Sequence, residues 1–553
     1  MSTIKPKPKT YIIGKPTQIP ADAVDVDFEE LTIEIEKLGQ VFAPQEVDGE
    51  APEPAVEVIR KLSTKNGNLE SLVVNMNDEI KNLLNERHRG AIIIESDDPL
   101  YPLEHQQNDR PEIPLIQNIV PTTETENVIV NVAVKGPKGE GVNKAWVTVA
   151  GLLWVDSGFT NSKGQVKLTL LGESEESISS IEIKPAHTYW SLRIDQPAIK
   201  VGEENEVVLK KIGPSVSSNG DSGEKQFVGW GQQDMRLVGQ PQQSKSVRIA
   251  VIDSGISVNH PDLSPSEGFD FGETTDAAES WKKDGSGHGT HVSGICASQN
   301  NEFGILGFAP NSELIVLRVF PNASNSKLIK ALDWCIDNDV DVVNMSLGGK
   351  NASQLVRQRI QACRENGILP VAAAGNNGGK VLFPAAFSEV LAVAAIGRFG
   401  TFPDDSSHHK HIGDTPVQSG DYFSPQFTCR GPEVNVCAPG VAITSCVPGA
   451  GYAAWDGTSM ACPHVAGLAG RLLQMQDDIR NMSRTAERSQ SLFDAIIETC
   501  TFIESIPEIY QGKGMPRLPL STDGGVTDNS ALSEVAVLID SAIKIVETKL
   551  VNV

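Results

Sequence analysis

Residues 246–253 read SVRIAVID, a strand-length apolar run that closes on a carboxylate. Four more runs of the same kind follow: LIVLRVF (314–320), VDVVNMSL (340–347), ILPVAAAG (368–375) and VLAVAAIG (390–397). Val, Ile, Leu and Ala without polar alternation suit strands buried on both faces, as in a parallel sheet. Helix-length segments, including Lys327 to Asn338 and Ala352 to Asn366, lie between them. The alternation predicts a doubly wound α/β domain over 226–516. An Asp at the carboxyl end of such a strand stands where open α/β sheets place their sites.

Two further segments join Asp253. GSGHGTHVSG (285–294) puts His288 at the start of a helical segment, and WDGTSMACPHVAG (455–467) puts Ser459 behind Gly457-Thr458, where a helix should begin. A neutral serine hydroxyl needs a base to become a nucleophile, and the base needs a carboxylate to orient it and stabilise its charge. A strand-terminal Asp alone is usually a cap, and a GTS alone is usually a turn. In this order, with extended matching around each, the chain resembles the subtilase family of subtilisin-like serine endopeptidases.

The resemblance implies a triad of Asp253, His288 and Ser459. VAAAGNNGG (371–379) matches the family's oxyanion segment, so the side-chain amide of Asn376 would donate to the oxyanion beside the Ser459 N–H. Ser346, Leu347, Gly348 and Gly349 match the strand that pairs with an extended substrate, and Ala373, Ala374 and Gly375 match the facing pocket wall. No acidic side chain is marked for the pocket, which implies an apolar or uncharged preference. His291 lies one helical turn from His288, a metal-pair spacing, but the family motif assigns the first His to catalysis. His464 matches a structural position.

The resemblance also implies a structural calcium ion. In SQNNEFGILG (298–307), Asn301 matches a side-chain ligand, and Gln299, Phe303 and Ile305 match carbonyl ligands. Asp262 matches the carboxylate ligand and Gln226 the ligand at the start of the domain. An all-oxygen set suits calcium. The alternative is a loop closed by its own hydrogen bonds. One insertion, Arg398 to Tyr422, departs from the family. Its His408, His409 and His411 are read as part of a solvated polar loop, with metal binding as the rival.

Upstream, residues 1–105 read as strand (Lys9 to Gly14), helix (Asp22 to Leu38), strand (Gln40 to Ala43), strand (Leu69 to Met76), helix (Asn77 to His88) and strand (Ala91 to Ser96). That α+β order is a split βαβ unit. It resembles the inhibitory prodomain of subtilases, with AIIIESDDPL as its last strand and extension; an unrelated α/β module is the alternative. Residues 106–126 read as a linker, 127–212 as a small all-β sandwich of short alternating strands, and 213–225 as a second linker. A C-terminal extension, 517–553, carries a helical pattern from Ser530 to Val551.

The charge balance is 47 basic against 71 acidic residues, a net −24. Such a surface repels phosphate backbones and anionic lipids, which disfavours nucleic acid and membrane partners. No apolar run is long enough to span a bilayer or to act as a secretion signal, so a cytoplasmic location is expected, with non-classical secretion as the alternative. Eight cysteines without a CxxC pair predict free thiols. The expected partners are protein or peptide substrates and the chain's own N-terminal domain as intramolecular inhibitor. Two rivals to a general endopeptidase are a processing protease dedicated to one partner protein and an inactive peptide-binding protein.

Overall fold

Alternating strands and helices at the N-terminus build the first layer. The structure, a computed structural model, describes residues 9–20, 23–41, 56–63, 69–103, 127–212, 226–240, 243, 246–272 and 276–520. Strands β1 (Lys9–Gly14), β2 (Val56–Ser63), β3 (Leu69–Met76) and β4 (Ile93–Ser96) form one antiparallel sheet in the order β2-β3-β1-β4. Helices α1 (Phe28–Val41) and α2 (Asp78–Arg87) connect them. The core of this unit unites Tyr11 and Ile13 from β1 with Leu31 and Ile35 from α1 and Ile80 and Leu84 from α2.

One expectation is corrected in its described part. Gln40 and Val41 are helical, not strand: α1 runs on to Val41, because Leu38 continues the buried face of Leu31 and Ile35, and the rest of the expected strand, residues 42–43, lies outside the described residues. The second strand is β2, whose alternating VEVIRKLS was hidden behind the Pro- and Glu-rich stretch before it. The expected segments 106–126, 213–225 and 530–551 lie outside the described residues.

Residues 127–212 form two small sheets. One holds β6 (Val128–Lys135), β9 (Gln165–Leu170) and β12 (Glu204–Val208); the other holds β7 (Trp146–Ala150), β8 (Val155–Phe159), β10 (Ser180–Lys184) and β11 (Leu192–Asp195). Val130 and Val132 of β6 share one buried core with Val147 and Val149 of β7 and Ile181 and Ile183 of β10.

After the short helix α3 (Trp230–Asp234), the large sheet is built from β13 (Arg248–Asp253), β14 (Pro265–Asp270), β15 (Glu313–Arg318), β16 (Val342–Met345), β18 (Leu369–Ala373) and β19 (Leu391–Arg398). These run parallel in the order β14-β15-β13-β16-β18-β19. A hairpin of β20 (Val417–Ser419) and β21 (Tyr422–Ser424) extends it antiparallel, while β22 (Val436–Pro439) pairs with β19 in parallel. From β13 the chain passes to the edge strand β14, returns inward to β15, and then crosses β13 to build outward through β16, β18 and β19, so the doubly wound sheet has its switch point beside β13. Two short antiparallel pairs flank it: β5 (Tyr101–Pro102) with β17 (Leu347–Gly348), and β23 (Ile443–Val447) with β24 (Gly451–Trp455).

Helices α4 (His288–Ala297), α5 (Asn325–Asp337), α6 (Gln354–Glu365) and α7 (Thr458–Met475) cover the sheet, with α4 on α7 and α5 on α6. Nearly every residue of α7 is buried, so it is a central helix without a polar face. Its close approach to α4 depends on Gly467: a Cβ there would lie 2.7 Å from Phe308 Cβ and 3.0 Å from Cys296 O. Neither neighbour is the flexible end of a side chain. Gly467→Ala should therefore destabilise by about 1–3 kcal/mol, read as a lower urea midpoint with an unchanged slope.

Candidate active site

The first turn of any helix leaves N–H groups without intrahelical acceptors, and Ser459 lies in the first turn of α7. Gly457 enters that turn at φ +150, a backbone angle only glycine adopts easily. Pro463 lies four residues on and has no N–H, so the Ser459 carbonyl loses its helical donor. The Ser346 hydroxyl replaces it, donating to Ser459 O at 3.0 Å. In return the Ser459 Oγ donates to Ser346 O at 3.0 Å. Asn344 Nδ2 donates to Ser346 Oγ at 3.0 Å and fixes the pair from below.

On the neighbouring strand end, Asp253 is wholly buried, and its Oδ1 lies 2.7 Å from His288 Nδ1. The same oxygen accepts the Ser254 N–H at 2.7 Å. β13 and β16 pair through Ile252 and Met345. Asp253 and Ser346, the next residue of each strand, therefore leave the sheet side by side. The Asp–His pair and the held serine thus stand at one edge, beside the switch point.

Asn376 follows β18. Its Oδ1 accepts from the Thr458 N–H at 2.9 Å and from the Thr458 hydroxyl at 2.8 Å, which turns its Nδ2 outward. That Nδ2 donates to the carbonyl oxygen of Leu103. The Ser459 N–H donates to the same oxygen at 3.0 Å. The two donors expected for an oxyanion therefore converge on one carbonyl, and it belongs to the N-terminal unit of this chain.

The approach of that segment is strand-like. β5 pairs antiparallel with β17, Leu347 against Pro102 and Gly348 against Tyr101. Leu103 N donates to Ser346 O at 3.1 Å, and Leu100 N to Ala323 O at 2.9 Å. Leu103 and Leu100 are buried among the core residues of the large domain, whereas Tyr101 is exposed. A Cβ at Gly348 would sit 3.0 Å from Leu103 Cδ1, and one at Gly349 would sit 3.3 Å from Leu100 Cδ2. Ser346 to Gly349 thus meet the peptide as a strand, while Ala373, Ala374 and Gly375 lead into Asn376. Gly375 N donates to Thr458 Oγ1 at 3.1 Å.

The same N-terminal unit holds the starts of two helices. Asp97 accepts from Ser326 N at 2.8 Å and from the Ser326 hydroxyl at 2.7 Å at the start of α5. Glu95 accepts from Gln354 N at 3.0 Å, Leu355 N at 3.3 Å and the Ser353 hydroxyl at the start of α6. A carboxylate at a helix N-terminus satisfies free N–H groups and complements the dipole. Burial raises the Glu95 pKa against those hydrogen bonds.

Apart from the Phe303 carbonyl, the expected calcium ligands are joined by hydrogen bonds. Gln226 Nε2 donates to the carbonyls of Gln299 and Ile305, the latter at 2.9 Å. Asn301 Nδ2 donates to Asp262 Oδ1 at 3.3 Å, and Phe303 N to Asn301 Oδ1 at 3.1 Å. Two carbonyls, one buried carboxylate and two carboxamides thus converge, and rotating the carboxamides would present oxygen throughout. That donor chemistry fits calcium. Gly304, at φ +56, lies against Asp262 Oδ2 and Tyr452 Oη, where any Cβ would collide.

Other residues separate from this chemistry. The His291 ring stacks on Trp455 at 4.5 Å, and burial pushes its pKa down to about 3. His464 Nδ1 contacts Met460 O at 2.7 Å inside α7. All eight cysteines are free, and burial raises the Cys462 pKa far above its ordinary value. The insertion is not a solvated loop at His408 and His411: both are buried against Asp456, because Phe402, Phe427 and Trp190 enclose their rings. Two residues given no role in the sequence, Asp456 and Leu103, shape the site, and two named there for other reasons, Thr458 and Ser346, add hydrogen bonds to it. Leu103 carried a local signal, as the last residue of the apolar run PLYPL (99–103) between acidic and polar residues.

The Subtilase family profile (Peptidase_S8) matches residues 244–513. Subtilisin of Bacillus pumilus is 35% identical over 278 residues, which is 49% of this chain and 88% of that protein. Subtilisin E of Bacillus subtilis (strain 168) is also 35% identical over 278 residues, 49% of this chain and 64% of that protein. An alkaline protease of Alkalihalobacillus alcalophilus is 33% identical over 328 residues, 58% of this chain and 75% of that protein. The matched residues take in the parallel sheet, the strand ends and the start of α7 described above, and the chain belongs to the subtilase family of serine endopeptidases.

Proposed function

We propose that Ser459 is the nucleophile of a peptide-bond hydrolase, with His288 as its base and Asp253 as the orienting carboxylate. Ser459 Oγ attacks the scissile carbonyl carbon while its proton passes to His288 Nε2. The carbonyl π pair moves onto oxygen, where the Ser459 N–H and Asn376 Nδ2 hold it. Collapse breaks the C–N bond, and His288 returns the proton to the leaving amine. Water repeats the sequence on the acyl-enzyme and frees the serine. The observation that carries this reading is the Leu103 carbonyl oxygen, met by both donors at once.

Residues 1–105 act in this reading as an intramolecular inhibitor and the first substrate. Leu103 fills the primary pocket and Leu100 a second one, so the Leu103–Glu104 bond is the processing site. The pocket is therefore assigned a preference for a large aliphatic side chain. Residues 106–126 and 213–225 serve as linkers around a β-sandwich of 127–212, residues 226–516 form the peptidase unit, and 517–553 is an extension. Gln226, Asp262 and Asn301 side chains with the carbonyls of Gln299, Phe303 and Ile305 would hold a calcium ion, which ties the domain's start to its loop.

Ser459→Ala should lower casein hydrolysis by at least about a thousandfold and leave thermal unfolding unchanged. Near wild-type turnover in that variant would contradict the assignment. Chelation should lower the Tm of the wild type, since an ion bound only by the native state stabilises it by mass action. A loss of about 1 kcal/mol corresponds to a shift of a few degrees in a domain of this size. Asp262→Ala should melt lower and ignore the chelator; a wild type indifferent to chelation would rule the site out.

A further inference from the structure

The insertion brings two buried histidines onto the residue that opens the nucleophile segment. His408 Nδ1 lies 2.8 Å from both carboxylate oxygens of Asp456, and His411 Nε2 lies 3.0 Å from Asp456 Oδ2. A backbone amide completes the set, Ala442 N donating to Asp456 Oδ1 at 2.7 Å. Burial alone would raise the Asp456 pKa, but the two imidazoles outweigh it and hold the carboxyl well below its usual range. An ionised carboxylate gripped by three donors is a fixed point in the backbone.

The catalytic segment begins at the very next residue. Gly457 N donates to Gly440 O at 2.8 Å, Thr458 sets the Asn376 carboxamide, and Ser459 supplies the second donor. Behind the histidines lies the β-sandwich. Ser407 Oγ donates to Ser191 Oγ at 2.6 Å, Arg193 N donates to Asp405 O at 2.8 Å, and Lys210 pairs with Asp405 at 2.9 Å. The Trp190 ring meets His408 edge to face at 5.7 Å. A continuous set of contacts thus runs from the sandwich through the insertion to the oxyanion donors.

We propose that His408 and His411 are positioning residues that fix Asp456, and through it Thr458, Asn376 and Ser459, and that the docked β-sandwich holds them in place. The proposal rests on the catalytic reading above. It gives the sandwich and the insertion a role in turnover although neither touches substrate. The effect falls on the chemical step, since the clamp holds the residue that precedes the oxyanion donors and the nucleophile.

The test uses the self-activated enzyme and a chromogenic peptide with Leu at the cleaved position. Asp456→Ala and the double variant His408→Ala/His411→Ala should lower kcat by about tenfold or more with KM within about twofold, the signature of misplaced reacting groups. Asp456→Asn, which keeps an oxygen for Ala442 N, should recover most of the loss. Trp190→Ala, on the sandwich, should lower kcat in the same selective way. Unchanged kcat, or a rise in KM that accounts for the whole loss, would overturn the proposal. A readout independent of turnover is amide exchange of residues 455–462 in a Ser459→Ala background. Faster exchange on adding His408→Ala/His411→Ala supports the clamp, and equal exchange overturns it. A wild type without Ser459-dependent hydrolysis would instead overturn the catalytic reading, while the exchange result still judges the clamp.

Discussion

Two N–H donors share one carbonyl oxygen at the start of α7, and much of the structure serves that arrangement. A helix start presents unsatisfied amides, and a buried one must find an acceptor. Here the Ser459 amide finds Leu103 O, 3.0 Å away. Pro463 removes a second intrahelical bond, and Ser346 supplies the replacement from the end of β16. The start of α7 is thereby tied to the sheet, to Asn376 and to the Leu103 segment by separate hydrogen bonds.

The same principle joins the N-terminal unit to the large domain. Asp97 and Glu95 place carboxylates on the first amides of α5 and α6, where the helix dipoles favour negative charge. Leu100 and Leu103 then add apolar burial, and the short β5–β17 pairing fixes direction. Caps, burial and strand addition each act locally, yet together they put one carbonyl where the donors point. The Leu103 peptide unit is held as a reacting peptide would be, so one geometry accounts for both inhibition and first cleavage in the proposed function.

The large domain was legible because its strands are buried on both faces, which leaves unbroken Val, Ile and Ala runs in the sequence. Asp253, His288, Ser459 and Asn376 lie beside glycines at positive φ, so the strand ends and helix starts that carry them could be located from local sequence. Gln40 and Val41 misled because a helix end and a strand start look alike over a few residues, and only the continued burial of Leu38 decides. His408 and His411 misled for another reason. Polar residues around them, PDDSSHHKH, signal a solvated loop, and their partner Asp456 lies 45 and more residues away. A buried ion-pair cluster assembled from distant segments leaves no periodicity to read.

The central claim is that Leu103 occupies the catalytic centre as substrate. Intact mass and N-terminal sequencing of the purified chain over time test it most directly. The account predicts a first new N-terminus at Glu104 in the wild type and none in Ser459→Ala. A first cut elsewhere, for instance between residues 213 and 225, or a cut at Glu104 that persists without Ser459, would contradict it.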